Sequence, residues 1–164
     1  MAYTITNVVA GTQPIAGTDT VRMHTLGTRV TAVDPIYGGG EFIYLTGVTG
    51  TVLGSWVLVN EDNFSTTLLA PNDIGQIAVA MSINNASTAF GWYQVTGKAI
   101  GLAAAGFADN ANVYSTAVTG TVNSAVVAGD RVKKCKSASA VGTPSTGLAE
   151  FEIDRPFADD ALAA

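Results

Sequence analysis

Along most of the chain, apolar and polar positions alternate in short stretches, and turn-forming residues interrupt them every eight to twelve positions. A period of two places successive side chains on opposite faces of a strand. The stretches expected to be strands are 28–33, 41–45, 55–60, 65–69, 76–82, 90–96 and 99–103, followed by 112–115, 120–123, 125–127, 131–138 and 148–153. Within them Phe42 and Tyr44 oppose Ile43 and Leu45, and Trp56 and Leu58 oppose Val57 and Val59. Ile77, Val79 and Met81 share a third face. Gly97-Lys98 and Gly129-Asp130 read as tight turns. Many short strands at this spacing predict an all-β fold, an antiparallel β-sandwich or β-barrel. Helix is limited to at most one turn within 103–110, where consecutive alanines favour it and Gly106 opposes it.

Two segments fall outside this rhythm. Residues 1–40 carry Gly11, Pro14, Gly17, Gly27, Pro35 and Gly38-Gly39-Gly40 among Thr and Val. That is too apolar for a solvated tail and too interrupted for a domain, so an extended N-terminal arm that gains order on a neighbour is expected. Residues 41–156 form the β-rich body, and 157–164 a frayed C-terminal tail. Gly38-Gly39-Gly40 leads into a strand rather than a helix and lacks a following Lys-Ser or Lys-Thr. It therefore reads as a hinge and not a phosphate loop.

Only 13% of the 164 residues are charged, and 48% are hydrophobic. The usual charged share is about 25%, so much of the surface is expected to be uncharged and suited to association. With eight Lys and Arg and a net charge of −5, a basic stripe for nucleic acid is not expected. Four of the eight, Arg131, Lys133, Lys134 and Lys136, cluster on one predicted strand. Arg131 and Lys133 would share one face, Lys134 and Lys136 the other. The favoured reading is an edge protected by lysines; the alternative is a strip facing an acidic partner. The longest apolar run, 99–108, is half of what a membrane helix needs, about 20 residues. Residues 1–20 have no basic and apolar leader pattern, so no secretory signal is expected.

Candidate chemistry is sparse. His24 is the only histidine and Cys135 the only cysteine. They are far apart in sequence, which makes a nucleophile–base pair a poor proposition and leaves no intramolecular disulfide. Lys134 and Lys136 are expected to lower the Cys135 thiol somewhat. Glu150, Glu152 and Asp154 alternate on a strand and share a face, a pattern compatible with a cation site or half a glycosidase pair. It is more simply a solvated face opposite Phe151 and Ile153, paired with the lysine cluster. Trp56, Trp92 and Tyr93 are candidates for a sugar-stacking platform, although alternation sends some of them inward. No catalytic, cofactor-binding or metal-binding residues are assigned, no cofactor is expected, and the chain is not expected to be an enzyme.

Several runs carry a resemblance. Gly40-Glu41-Phe42-Ile43-Tyr44-Leu45, Gly54-Ser55-Trp56-Val57 and Asn72-Asp73-Ile74-Gly75-Gln76-Ile77-Ala78-Val79-Ala80-Met81 are three of them. Gly91-Trp92-Tyr93-Gln94-Val95-Thr96-Gly97-Lys98-Ala99 and Thr143-Pro144-Ser145-Thr146-Gly147-Leu148-Ala149-Glu150 complete the set. Over roughly residues 40–155 these look like virion structural proteins of tailed bacteriophages, and the group is similar to capsid decoration (cement) proteins. The resemblance implies a protein made in the host cytoplasm and placed on the capsid exterior. There it would bind the major capsid protein and bridge neighbouring subunits, with a trimer as first expectation for its own oligomeric state. Another virion part (a head-fibre base, a tail or adaptor component) and a carbohydrate-binding module are the alternatives.

Overall fold

The computed structural model describes residues 3–6 and 13–159, and every regular element among them is a β-strand. The strands are β1 (Thr4–Ile5), β2 (Thr18–Asp19), β3 (Arg29–Asp34), β4 (Gly38–Thr46), β5 (Trp56–Val59), β6 (Thr66–Leu68) and β7 (Gly75–Ala80). They continue as β8 (Phe90–Gln94), β9 (Thr96–Leu102), β10 (Asn112–Ser115), β11 (Val122–Asn123), β12 (Arg131–Ser137) and β13 (Leu148–Asp159). The expected all-β, antiparallel fold is what the chain adopts: every strand ladder is antiparallel.

One set of strands runs β1-β3-β4-β8-β7-β5-β6, with β2 on the part of β8 that β7 leaves free. A second runs β9-β13-β12-β10-β11, and the two join where Phe157 and Ala158 pair with Gln76 and Gly75. The first set curls. Thr46 N–H donates to Phe64 O at 3.2 Å and the Thr66 hydroxyl to Thr46 O at 2.8 Å, which returns the β6 end to β4. Inside this curl lie Ile43, Leu45, Val57, Val59, Ala78, Ala80, Tyr93 and Val95. The outer sides of β5 and β7 send Trp56, Ile77 and Val79 against Phe151, Ile153, Val113 and Val132 of the second set. Central strands are thus covered on both faces, which is why β5 reads Trp-Val-Leu-Val without a polar position.

A third apolar cluster contains Val30, Ala32, Phe42, Tyr44, Met81 and Trp92. Ile15, buried at 2% exposure, closes it together with Tyr3, Ile5 and Leu26. Residues 29–40 form the β3–β4 hairpin, so the boundary expected at residue 40 falls inside a strand.

Other expectations change. Gly38-Gly39-Gly40 is not a hinge but the start of β4, paired with Asp34, Val33 and Ala32. Its glycines permit a close backbone crossing: a Cβ on Gly40 would stand 2.8 Å from Thr96 O, and one on Gly97 2.3 Å from Gly39 O. Gly97-Lys98 is not a turn but part of β9, paired with Ile153 and Glu152. The chain passes straight from one strand set to the other at Val95, whose N–H and C=O bond Glu41 O and Arg155 N. Residues 125–127 are irregular rather than a strand, with exposed side chains. Phe157, Ala158 and Asp159, expected in the tail, belong to β13, because β7 and β12 both offer them backbone partners. The remaining residues, 160–164, lie outside the described ones.

Candidate contact surfaces

One group of charged side chains gathers on the outer face of the second strand set. Glu150, Glu152 and Asp154 share that face as expected, with Phe151 and Ile153 turned to the core. The lysines differ from the expectation. Lys134 has φ +55 and marks a register shift, where this one residue of β12 stands against three of β13, Asp154, Arg155 and Pro156, none of them its ladder partner. Such a bulge resets the alternation. Val132, Cys135 and Ser137 therefore turn inward, and Arg131, Lys133 and Lys136 all turn outward. The acidic partner of this strip is its own neighbour: Lys136 meets Glu152 at 3.5 Å and Lys133 meets Asp159. On the other side of β13, Lys98 meets Glu150 at 2.6 Å. A second ion cluster holds Glu41 between Arg29 at 2.5 Å and Arg155 at 2.9 Å. Among the described residues no group of three or more His, Cys, Asp or Glu side chains has the arrangement to hold a metal ion.

The same bulge overturns the expectation for Cys135. Its thiol packs toward the core while the flanking lysines face solvent. Burial pushes the thiol up, away from the reactive range. The stacking platform fares no better. Trp56, Trp92 and Tyr93 are each 0% exposed, so none offers a face to a sugar. Burial likewise raises the Tyr93 hydroxyl to about 12.

The strap of residues 13–28 crosses the Phe42–Tyr44–Trp92 face. Thr18 and Asp19 pair with Gly91 and Phe90, filling the β8 edge beside β7. The Tyr44 hydroxyl donates to Asp19 Oδ2 at 2.6 Å, and burial followed by this carboxylate raises it to about 12. His24 takes a structural part: its Nε2 stands 2.8 Å from Gln13 Oε1, and its ring meets Tyr44 edge-on at 5.2 Å. Strap and body also meet where the Ser82 hydroxyl donates to Gly17 O at 3.0 Å and that of Thr18 to Ile83 O at 3.1 Å.

Two surface features escape a reading by alternation. Aliphatic side chains stand bare in turns and irregular connections, among them Val21, Ile36, Ile83, Val118 and Val126, all at least 62% exposed. Periodicity is silent in turns, so nothing in the pattern separates these from buried neighbours. The other feature is the outer edge of β3, which β1 covers: Thr4 opposes Val33 and Ile5 opposes Ala32. Tyr3 anchors this short strand, with its ring edge-on to Phe42 at 4.8 Å and its hydroxyl donating to Lys98 O at 3.1 Å. No family model matches the chain, and neither a curated protein nor a solved structure does.

Proposed function

We propose that this chain is a virion structural protein, a capsid decoration protein that binds the outer face of the major capsid protein shell and bridges neighbouring subunits. The observation that carries the reading is the way extended chain is used. Where an arm ordered on a neighbour was expected, Tyr3–Thr6 and the strap of residues 13–28 lie on the chain's own body as edge strands and apolar cover, and the reading extends this use of extended chain to a partner. Backbone pairing by an extended segment is a general way to bind a sheet edge. The sequence resemblance to decoration proteins, the low charge and the bare aliphatic turns support the same role. Contacts of this kind are individually small and gain by repetition over a lattice.

The test is a truncation at residue 12, which removes β1 but keeps Ile15, the strap and the whole of β3. The truncated protein should remain folded and coat undecorated capsids less completely than the full chain. Undiminished coating would remove the arm from the reading. Labelling the protein in intact particles checks the location: hundreds of copies over the head are expected, and a label confined to the tail would replace this role with a tail component.

A further inference from the structure

All eight Lys and Arg side chains lie among the described residues, and most are engaged within the chain. Five pair with carboxylates, and Arg131 donates to Asn112 Oδ1 at 2.9 Å. Arg22 and Lys134 have no ion pair or hydrogen bond among the described residues. Lys134 lies between Lys133 and the inward-turned Cys135. Arg22 has different neighbours. It is exposed in the irregular stretch after β2, between Val21 at 70% and Met23 at 56% exposure. The strap thus presents an aliphatic–cationic–aliphatic tip, with none of its three side chains in the core.

A complementary surface is present on the same chain. Leu58, Thr67, Ile74 and Gly75 line a hollow of about 380 Å³, with Glu61 and Asp62 of the β5–β6 turn at its rim. Ile74 is 63% exposed and Leu58 half-buried. Asparagines hold the turn: Asp62 N–H donates to Asn60 Oδ1, Phe64 N–H to Asn60 O and Ser65 N–H to Asn63 Oδ1, all at 2.9 Å. Glu61 and Asp62 take no part in this, and both are exposed carboxylates with no partner among the described residues.

We infer that this acid-rimmed hollow receives the Val21-Arg22-Met23 tip of a second copy of this chain, with Arg22 at the two carboxylates and a flanking aliphatic side chain on Leu58 and Ile74. The contact takes exposed apolar surface out of water on both sides. The paired charges fix its register. A net charge of −5 opposes approach of two copies, so a local match of opposite charges is what permits it. Each copy carries both halves, and the contact closes a pair or runs on head to tail. The inference concerns two copies alone and holds whatever surface the protein coats.

Sedimentation velocity on the purified full-length protein tests it. A contact this small is weak, with dissociation expected in roughly the millimolar range. The sedimentation coefficient should rise from micromolar to millimolar protein in low salt, and rise less in high salt. Arg22→Glu should lose the rise, and so should the Glu61→Arg/Asp62→Arg double variant; all three positions are exposed, so the core is spared. An equimolar mixture of the two variants should regain it, because the reversed tip meets the reversed hollow and the unaltered tip the unaltered hollow. Both variants remain net negative, so general attraction between them does not account for the recovery. If the unaltered protein sediments alike at every concentration, if its association survives either charge reversal, or if the mixture stays monomeric, the inference is overturned.

Discussion

The packing around Trp56 makes a quantitative prediction for Gly101→Ala. Gly101 lies in β9 opposite Ala149, and its φ is not in the left-handed region, so its backbone tolerates alanine. Space does not. A Cβ would stand 2.6 Å from Trp56 Nε1, 2.8 Å from Cε2 and 2.9 Å from Cζ2. The indole has little freedom to retreat, since its Nε1–H donates to Leu102 O at 3.2 Å and its ring packs edge-on to Phe151 at 4.8 Å. Moving it loses a buried hydrogen bond, about 0.5–1.5 kcal/mol, and forces an off-rotamer side chain, about 0.5–1.5 kcal/mol. The sum agrees with the usual cost of overpacking a core by one methyl, about 1–3 kcal/mol.

Urea unfolding followed by tryptophan fluorescence measures this. At a slope of about 2 kcal/mol per molar urea, a 2 kcal/mol loss lowers the midpoint by about 1 M. Gly39→Ala is the control, because a Cβ there meets nothing within 4 Å and Gly39 also lacks a left-handed φ. It should leave the midpoint unchanged or raise it slightly, since alanine restricts the unfolded chain more than glycine does. A Gly101→Ala midpoint equal to that of the control would refute the assigned packing of β9 against Trp56.

Other consequences follow from the buried and surface groups. Tyr3, Tyr44 and Tyr93 ionise near pH 12 in the folded chain against about 10 unfolded. The folded state thus holds these protons longer, and its stability, intact below pH 10, should fall as pH rises toward 12; unfolding midpoints measured across that range check the sign. Cys135 should react slowly with a thiol reagent in native protein and rapidly in urea, and fast native labelling would contradict its inward orientation. Lys136→Ala removes an exposed ion pair and should cost at most about 0.5 kcal/mol by urea titration. Glu41→Gln, which leaves Arg29 and Arg155 without the carboxylate between them, should cost more. Ile36→Asp and Val126→Asp should change stability by no more than about 0.5 kcal/mol while lowering capsid occupancy; unchanged occupancy in both would take these turns out of the contact.

Alternation made much of the body legible. The strands at 29–34, 56–59, 75–80 and 112–115 stand within two residues of where it put them, and Glu150, Glu152 and Asp154 lie opposite Phe151 and Ile153 as it required. It failed where one residue resets the phase. Lys134 adopts φ +55 without being Gly, Asn or Asp, so nothing in its type announced the bulge that turned Cys135 inward and aligned three basic residues outward. It failed also where glycine had two meanings. Gly97 has φ +93, which suits a turn, but its use is to let β9 pass close over β4, a contact between segments nearly sixty residues apart. The strand-forming role of Phe157 was equally invisible locally, because its partners, Gln76 and Lys133, come from distant parts of the chain. Local pattern sets the faces; pairing at long range sets which strands survive.

Charge distribution links the fold to the proposed role. Five of the eight basic residues, Arg29, Lys98, Lys133, Lys136 and Arg155, are engaged in ion pairs with carboxylates of their own chain. Pairing of this kind reduces the field that these basic groups exert on a charged partner, and leaves the chain's excess charge negative, at −5. On the proposed reading, apolar contact and backbone pairing supply attraction that salt scarcely weakens. Exposed loop positions such as Val118 and Val126 give contact area with no role in the core, and the strap and β1 are extended chain lying at sheet edges of the body. Bare valines and isoleucines scattered singly are ordinary. Gathered in the connections of a chain with half the usual charge, they instead suit the proposed role, in which the surface is covered.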